Sequence, residues 1–93
     1  MQIIQKILVV DDELSNLEVI SEYLEEESFA ADKAINGKDA LDMLNNPNND
    51  YSAIVLDRMM PVMDGMELLR KIKEDKKLRD IPVVMQSAAA QPE

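Results

Sequence analysis

The chain of 93 residues contains no cysteine and no histidine. The first absence excludes a disulfide framework, a thiolate metal site and a cysteine nucleophile. The second excludes a Ser-His pair and an imidazole metal ligand. The chain has only two glycines, Gly37 and Gly65, and no glycine-rich turn follows its first apolar run, so dinucleotide binding fails on composition. Positive charge is also scarce. Ten basic side chains face 19 acidic ones, a formal charge of −9, which argues against nucleic acid or an anionic membrane as direct partner. The longest purely apolar run is four residues, against the roughly 20 that cross a bilayer. A cytoplasmic location fits the lack of cysteine. The length allows one domain with one modest core.

The apolar residues that are present fall into short runs. Ile7-Leu8-Val9-Val10 ends in Asp11-Asp12, Ala53-Ile54-Val55-Leu56 ends in Asp57, and Val83-Val84-Met85 closes near Ser87. β-Branched runs without alternation predict strands covered on both faces, as in a parallel sheet. Phe29 to Ile35, with Asp32 and Lys33 inside it, reads as an edge strand. Between the strands, helical spacing sets an apolar stripe of Leu14, Leu17, Ile20 and Leu24, a second of Ala40, Leu41 and Leu44, and a third of Leu68, Leu69 and Ile72. Asp12 is the expected N-cap of the first helix, and Lys6 reads as a solvated strand-edge residue. The order β-α-β-α-β-α-β predicts an open parallel α/β sheet with right-handed crossovers, whose ligands bind beyond the carboxyl ends of the strands.

Those ends carry Asp11, Asp12, Asp57 and Ser87. A single aspartate after a strand is commonly a cap or turn residue. If the first and third strands are neighbours, however, three carboxylates converge and must either shift in pKa or recruit a cation. Oxygen donors favour magnesium. A carboxylate beside magnesium is also a competent nucleophile toward phosphorus, and a strand-end hydroxyl such as Ser87 is a donor for a phosphate oxygen.

The segments Lys6-Ile7-Leu8-Val9-Val10-Asp11-Asp12-Glu13 and Ile54-Val55-Leu56-Asp57-Arg58-Met59-Met60-Pro61-Val62-Met63-Asp64-Gly65 closely resemble the receiver domain of two-component response regulators, and Ile81-Pro82-Val83-Val84-Met85-Gln86-Ser87-Ala88 looks like its fourth strand. The resemblance implies a flavodoxin-like fold of three α/β/α layers with strand order 2-1-3-4, the family's fifth strand having no counterpart. It implies that Asp57 accepts a phosphoryl group, that Asp12, Asp57 and the backbone carbonyl of Met59 ligate Mg2+, that Asp11 reaches the metal through water, and that Ser87 is the switch hydroxyl. It also implies a histidine kinase or phosphotransfer protein as phosphodonor and a downstream effector or output domain, with no external substrate to make the chain an enzyme.

The expected domain is residues 1–93, a receiver truncated at the start of its fourth helix near Gln91-Pro92-Glu93. No lysine follows Lys77 to take the place of the family's phosphoryl-pairing lysine. Phosphorylation of this chain by itself is therefore expected to be weak or absent, and a fourth strand left at the edge predicts a chain either partly unfolded or assembled with another copy, a homo-oligomer with exchanged or rearranged elements. The alternatives are an interaction or dimerisation fragment that does not accept phosphate, and an aspartate-nucleophile phosphatase. The second ranks lower, because Met59 stands where such enzymes carry a second acid.

Overall fold

The computed structural model describes residues 4–57 and 65–86. Four strands and three helices alternate: β1 (Lys6–Val10), α1 (Leu14–Glu26), β2 (Ala30–Ala34), α2 (Gly37–Asn45), β3 (Ala53–Asp57), α3 (Gly65–Glu74) and β4 (Val83–Gln86). All strand pairs are parallel, in the order β2-β1-β3-β4. The order turns back once. The chain moves outward from β1 to β2, then returns past β1 to β3 and on to β4. Right-handed crossovers in opposite directions put α1 on one face and α2 with α3 on the other.

The central strand β1 shows why the core forms. Leu8, Val9 and Val10 are at most 1% exposed. Leu8 and Val10 pack with Ala40, Leu44, Ile54, Leu56, Leu68 and Ile72 on the face of α2 and α3. Ile7 and Val9 pack with Leu17 on the face of α1. Alternate residues of one strand thus feed two cores, so the run needs no polar positions.

The helix ends follow from local chemistry. Asn36 caps α2, its Oδ1 accepting from the backbone N–H of Asp39 at 2.8 Å. α1 ends in a Schellman turn. The N–H of Phe29 donates to Leu24 O and that of Ser28 to Glu25 O, with Ser28 at φ 75°. Phe29 and Leu24 pack on the same apolar cluster, the contact that usually accompanies this turn.

Four expectations need correction. Glu13, not Asp12, is the N-cap of α1, and its side chain makes no capping hydrogen bond. Leu14, the first residue of α1, is 69% exposed and does not share the buried stripe with Leu17. Val84 is 56% exposed, so β4 is not covered on both faces. Lys6 is not merely solvated. Its ammonium donates to Asn49 Oδ1 at 3.2 Å, pairs with Asp32 at 3.5 Å and lies 5.3 Å from the centroid of the Tyr51 ring. The buried Tyr51 hydroxyl donates to Asp32 Oδ2 at 2.6 Å. This cluster ties β1, β2 and the loop before β3 together at the amino end of the sheet. The expected start of a fourth helix falls on residues outside those described.

Burial first, and then the bond to the Asp32 carboxylate, push the Tyr51 phenol well above its usual range. A raised folded-state value contributes stability below the unfolded value of about 10 and loses it at higher pH. Tyr51→Phe is therefore expected to cost about 1 kcal/mol at pH 7, since Asp32 loses a donor but keeps Lys6. The gap to the parent chain narrows above about pH 10, as read by urea denaturation at the two pH values. The outer edge of β4 and the exposed Val84 predict concentration-dependent self-association in light scattering. Val84→Lys is expected to reduce it, and a parent chain that stays monomeric throughout the range contradicts the expectation.

Candidate functional site

Register assembles the site. β1 and β3 pair as Val10–Leu56, so the residues that follow, Asp11 and Asp57, meet at the carboxyl edge of the sheet where the strand order turns back. Asp12 extends from the same turn. One carboxylate oxygen from each of Asp11, Asp12 and Asp57 lies within 4.8 Å of the others. Asp11 is 2% and Asp57 6% exposed, while Asp12 faces solvent. The condition set from the sequence, that the first and third strands be neighbours, is met. Asp57 pairs with Gln86 of β4, which brings the end of that strand alongside. Ser87, which follows, and Met59, the two other expected site residues, lie outside the described residues.

Asp11 is held on three sides. Its backbone N–H donates to Ala34 O at 3.1 Å, so the end of β2 also supports the site. Its Oδ1 accepts from the backbone N–H of Glu13 at 2.9 Å, and its Oδ2 accepts from Asn16 Nδ2 at 3.2 Å. Asn16 was not visible as a site residue from the sequence. Its only signal is that it stands one helical turn beyond the acidic pair, and many surface asparagines share that position.

Two buried carboxylates about 5 Å apart repel by on the order of 3 kcal/mol at an effective dielectric of about 20. Asp11 offsets part of this by accepting two hydrogen bonds. A divalent cation would offset it further. The donor set is all oxygen, and the chain has no imidazole or thiolate to favour a softer ion. The residues therefore fit a hard divalent cation that keeps some of its waters. A hollow lined by Leu44, Asn46, Tyr51, Lys77 and Ile81 lies at the opposite end of the sheet and brings no such group together.

Comparison with known proteins points the same way. Residues 7–93 match the family model for the response regulator receiver domain. The chain is 42% identical over 82 residues to a rice protein, two-component response regulator ORR5, which covers 88% of this chain and 60% of the rice protein. It is 39% identical over 84 residues to hybrid signal transduction histidine kinase L of Dictyostelium discoideum, covering 89% of this chain but 5% of the kinase. Among solved structures, the N-terminal domain of a response regulator receiver protein from Methanoculleus marisnigri superimposes with a TM-score of 0.84 at 38% identity, over 94% of this chain and 69% of that one. The chemotaxis response regulator CheY4 of Vibrio cholerae gives a TM-score of 0.86 at 26% identity, over 97% and 73%. The chain thus spans from 5% to 60% of the length of these two curated relatives, and its parallel sheet is the flavodoxin-like one.

The crowding has a measurable consequence without any cation. Asp12→Asn removes one of the three charges at an exposed position. It is expected to raise the thermal midpoint in chelator-containing buffer by a few degrees, equivalent to roughly 0.5–1 kcal/mol. An unchanged or lowered midpoint would show that the three carboxylates do not strain the fold.

Proposed function

Since the chain belongs to the response regulator receiver domain family, we propose that it is a phosphoryl-accepting signalling module with Asp57 as the acceptor. The observation that carries this reading is the convergence of Asp11, Asp12 and Asp57 at the carboxyl edge of β1 and β3. Asp57 closes β3 and is nearly buried, so its carboxylate is fixed by the strand and not by a mobile loop. In the transfer, a carboxylate oxygen of Asp57 forms the new P–O bond as the P–N bond of a phosphohistidine breaks. The electron pair of that bond leaves with the imidazole, which departs neutral once it has a proton.

Asp11, Asp12 and Asp57 would hold Mg2+, with the backbone carbonyl of Met59 as a further ligand. The ion, when bound, would neutralise charge on the phosphoryl group. Asp12 and Asp57 would be its direct ligands, and Asp11 would hold it through water. Ser87, next after Gln86 in the sequence, would supply the switch hydroxyl that reports the modified state.

The phosphodonor in this reading is a histidine kinase or a phosphotransfer protein, and the recipient of the signal is an effector or output domain. Both roles fit relatives named as a response regulator and a hybrid kinase. The module acts on no external substrate and works in the cytoplasm. Among the described residues no helix is long and apolar enough to cross a membrane.

The test is intact mass after incubation with magnesium and a small phosphoramidate donor. We expect an increment of one phosphoryl group that vanishes on omission of magnesium and in Asp57→Asn. An increment that persists in Asp57→Asn refutes the acceptor assignment. No increment together with no effect of magnesium on the thermal midpoint favours a non-catalytic interaction module.

A further inference from the structure

Asn16 sits on the first turn of α1, half-buried, with its amide nitrogen between two carboxylates. It donates to Asp11 Oδ2 at 3.2 Å and to Glu13 Oε1 at 2.9 Å. Both neighbours are acceptors, so the chemistry itself fixes which end of the amide faces them. The two hydrogens of the amide match the two acceptors.

We infer that Asn16 is a positioning residue for the cation site. Asp11 stands beside two like charges and would swing away from them if its carboxylate were free to rotate. Two donors prevent this, the backbone N–H of Glu13 on Oδ1 and the Asn16 amide on Oδ2. Each oxygen keeps a second lone pair for the cation or for a water on it. The Glu13 N–H is backbone and common to any residue at that position. Asn16 is the part of the clamp that depends on side-chain identity.

A purely structural role makes a different prediction. The bond from Asn16 to Glu13 also joins the first helical turn to its N-cap, whose side chain makes no capping bond of its own. If that were the whole role, loss of the amide would weaken the fold and leave cation affinity intact. A positioning role places the loss in cation affinity instead.

The inference rests on reading Asp11, Asp12 and Asp57 as a cation site, and the variants separate the two. Mg2+ and Mn2+ are titrated calorimetrically into the full chain and into Asn16→Leu, Asn16→Gln and Asp12→Asn. The thermal midpoint of each is measured in chelator. Asn16→Leu, similar in size but without a donor, is expected to weaken binding about tenfold, as loss of a group that orients a metal ligand commonly does. Its midpoint in chelator should stay within a few degrees of the parent, and Asn16→Gln should recover part of the affinity. Weakened binding in Asp12→Asn with parent-like binding in Asn16→Leu overturns the inference alone. So does an affinity loss in Asn16→Leu that is matched by a collapse of the cation-free midpoint and is not recovered in Asn16→Gln. Absence of binding by the parent chain, or equal binding by all variants, overturns the cation-site reading and the inference with it.

Discussion

Everything at the site depends on one pairing, the parallel alignment of β1 with β3 in which Val10 faces Leu56. Side chains alternate along a strand, so a slip of one residue would exchange the two cores fed by β1 and move Asp57 away from Asp11. The buried residues oppose such a slip. Leu8 and Val10 fit among the residues of α2 and α3, and Ile7 and Val9 fit beneath α1. Exchanging them would open voids on one side and crowd the other, each at a cost of order 1–3 kcal/mol per side chain. Apolar packing thus holds in place a cluster of charges that would not assemble unaided.

The architecture was legible because β1 and β3 are short β-branched runs closed by an acid, β4 is a third apolar run, and each helix carries an apolar stripe at the right spacing. Ala40, Leu44, Leu68 and Ile72 occupy the core where their periodicity placed them. The acidic cluster was legible through the placement of Asp11-Asp12 and Asp57 at two strand ends. What escaped the sequence were properties of three-dimensional neighbours. Leu14 fits the apolar stripe by period but is exposed at the first position of α1. Lys6 and Asp32 look like solvated edge charges until Tyr51 is placed beside them by a loop whose path no local rule fixes. Asp12 was the natural cap by residue type. Asp11 instead takes the N–H of Glu13, and Asp12 is left for the site. Asn16 shares its spacing with many helix-surface residues, and only the position of the Asp11 carboxylate singles it out.

The two ends of the sheet are built on opposite principles. At the amino end, opposite charges and a phenol are matched: Lys6 against Asp32, Tyr51 donating to the same carboxylate, Asn49 accepting from the ammonium. Such a cluster is satisfied without any ligand. At the carboxyl end, like charges are brought together, with Asp11 accepting from two neutral donors, an arrangement that a cation would complete. The family relationship gives the acidic end its meaning, and the charge-matched end accounts for how the chain tolerates it. Local strain at functional sites is generally compensated by well-satisfied structure elsewhere.

The hydrogen bond from the Asp11 N–H to the carbonyl of Ala34 joins the central strand to the last residue of an edge strand. Edge strands open more readily than central ones, so the backbone behind Asp11 is anchored to one of the sheet's softer elements. Whatever steadies or loosens that margin is transmitted to the acid, although no margin side chain needs to touch it. Cation affinity at the proposed site and edge breathing would then be two readings of one equilibrium, and anything lying along β2 would gain leverage over the acid without approaching it.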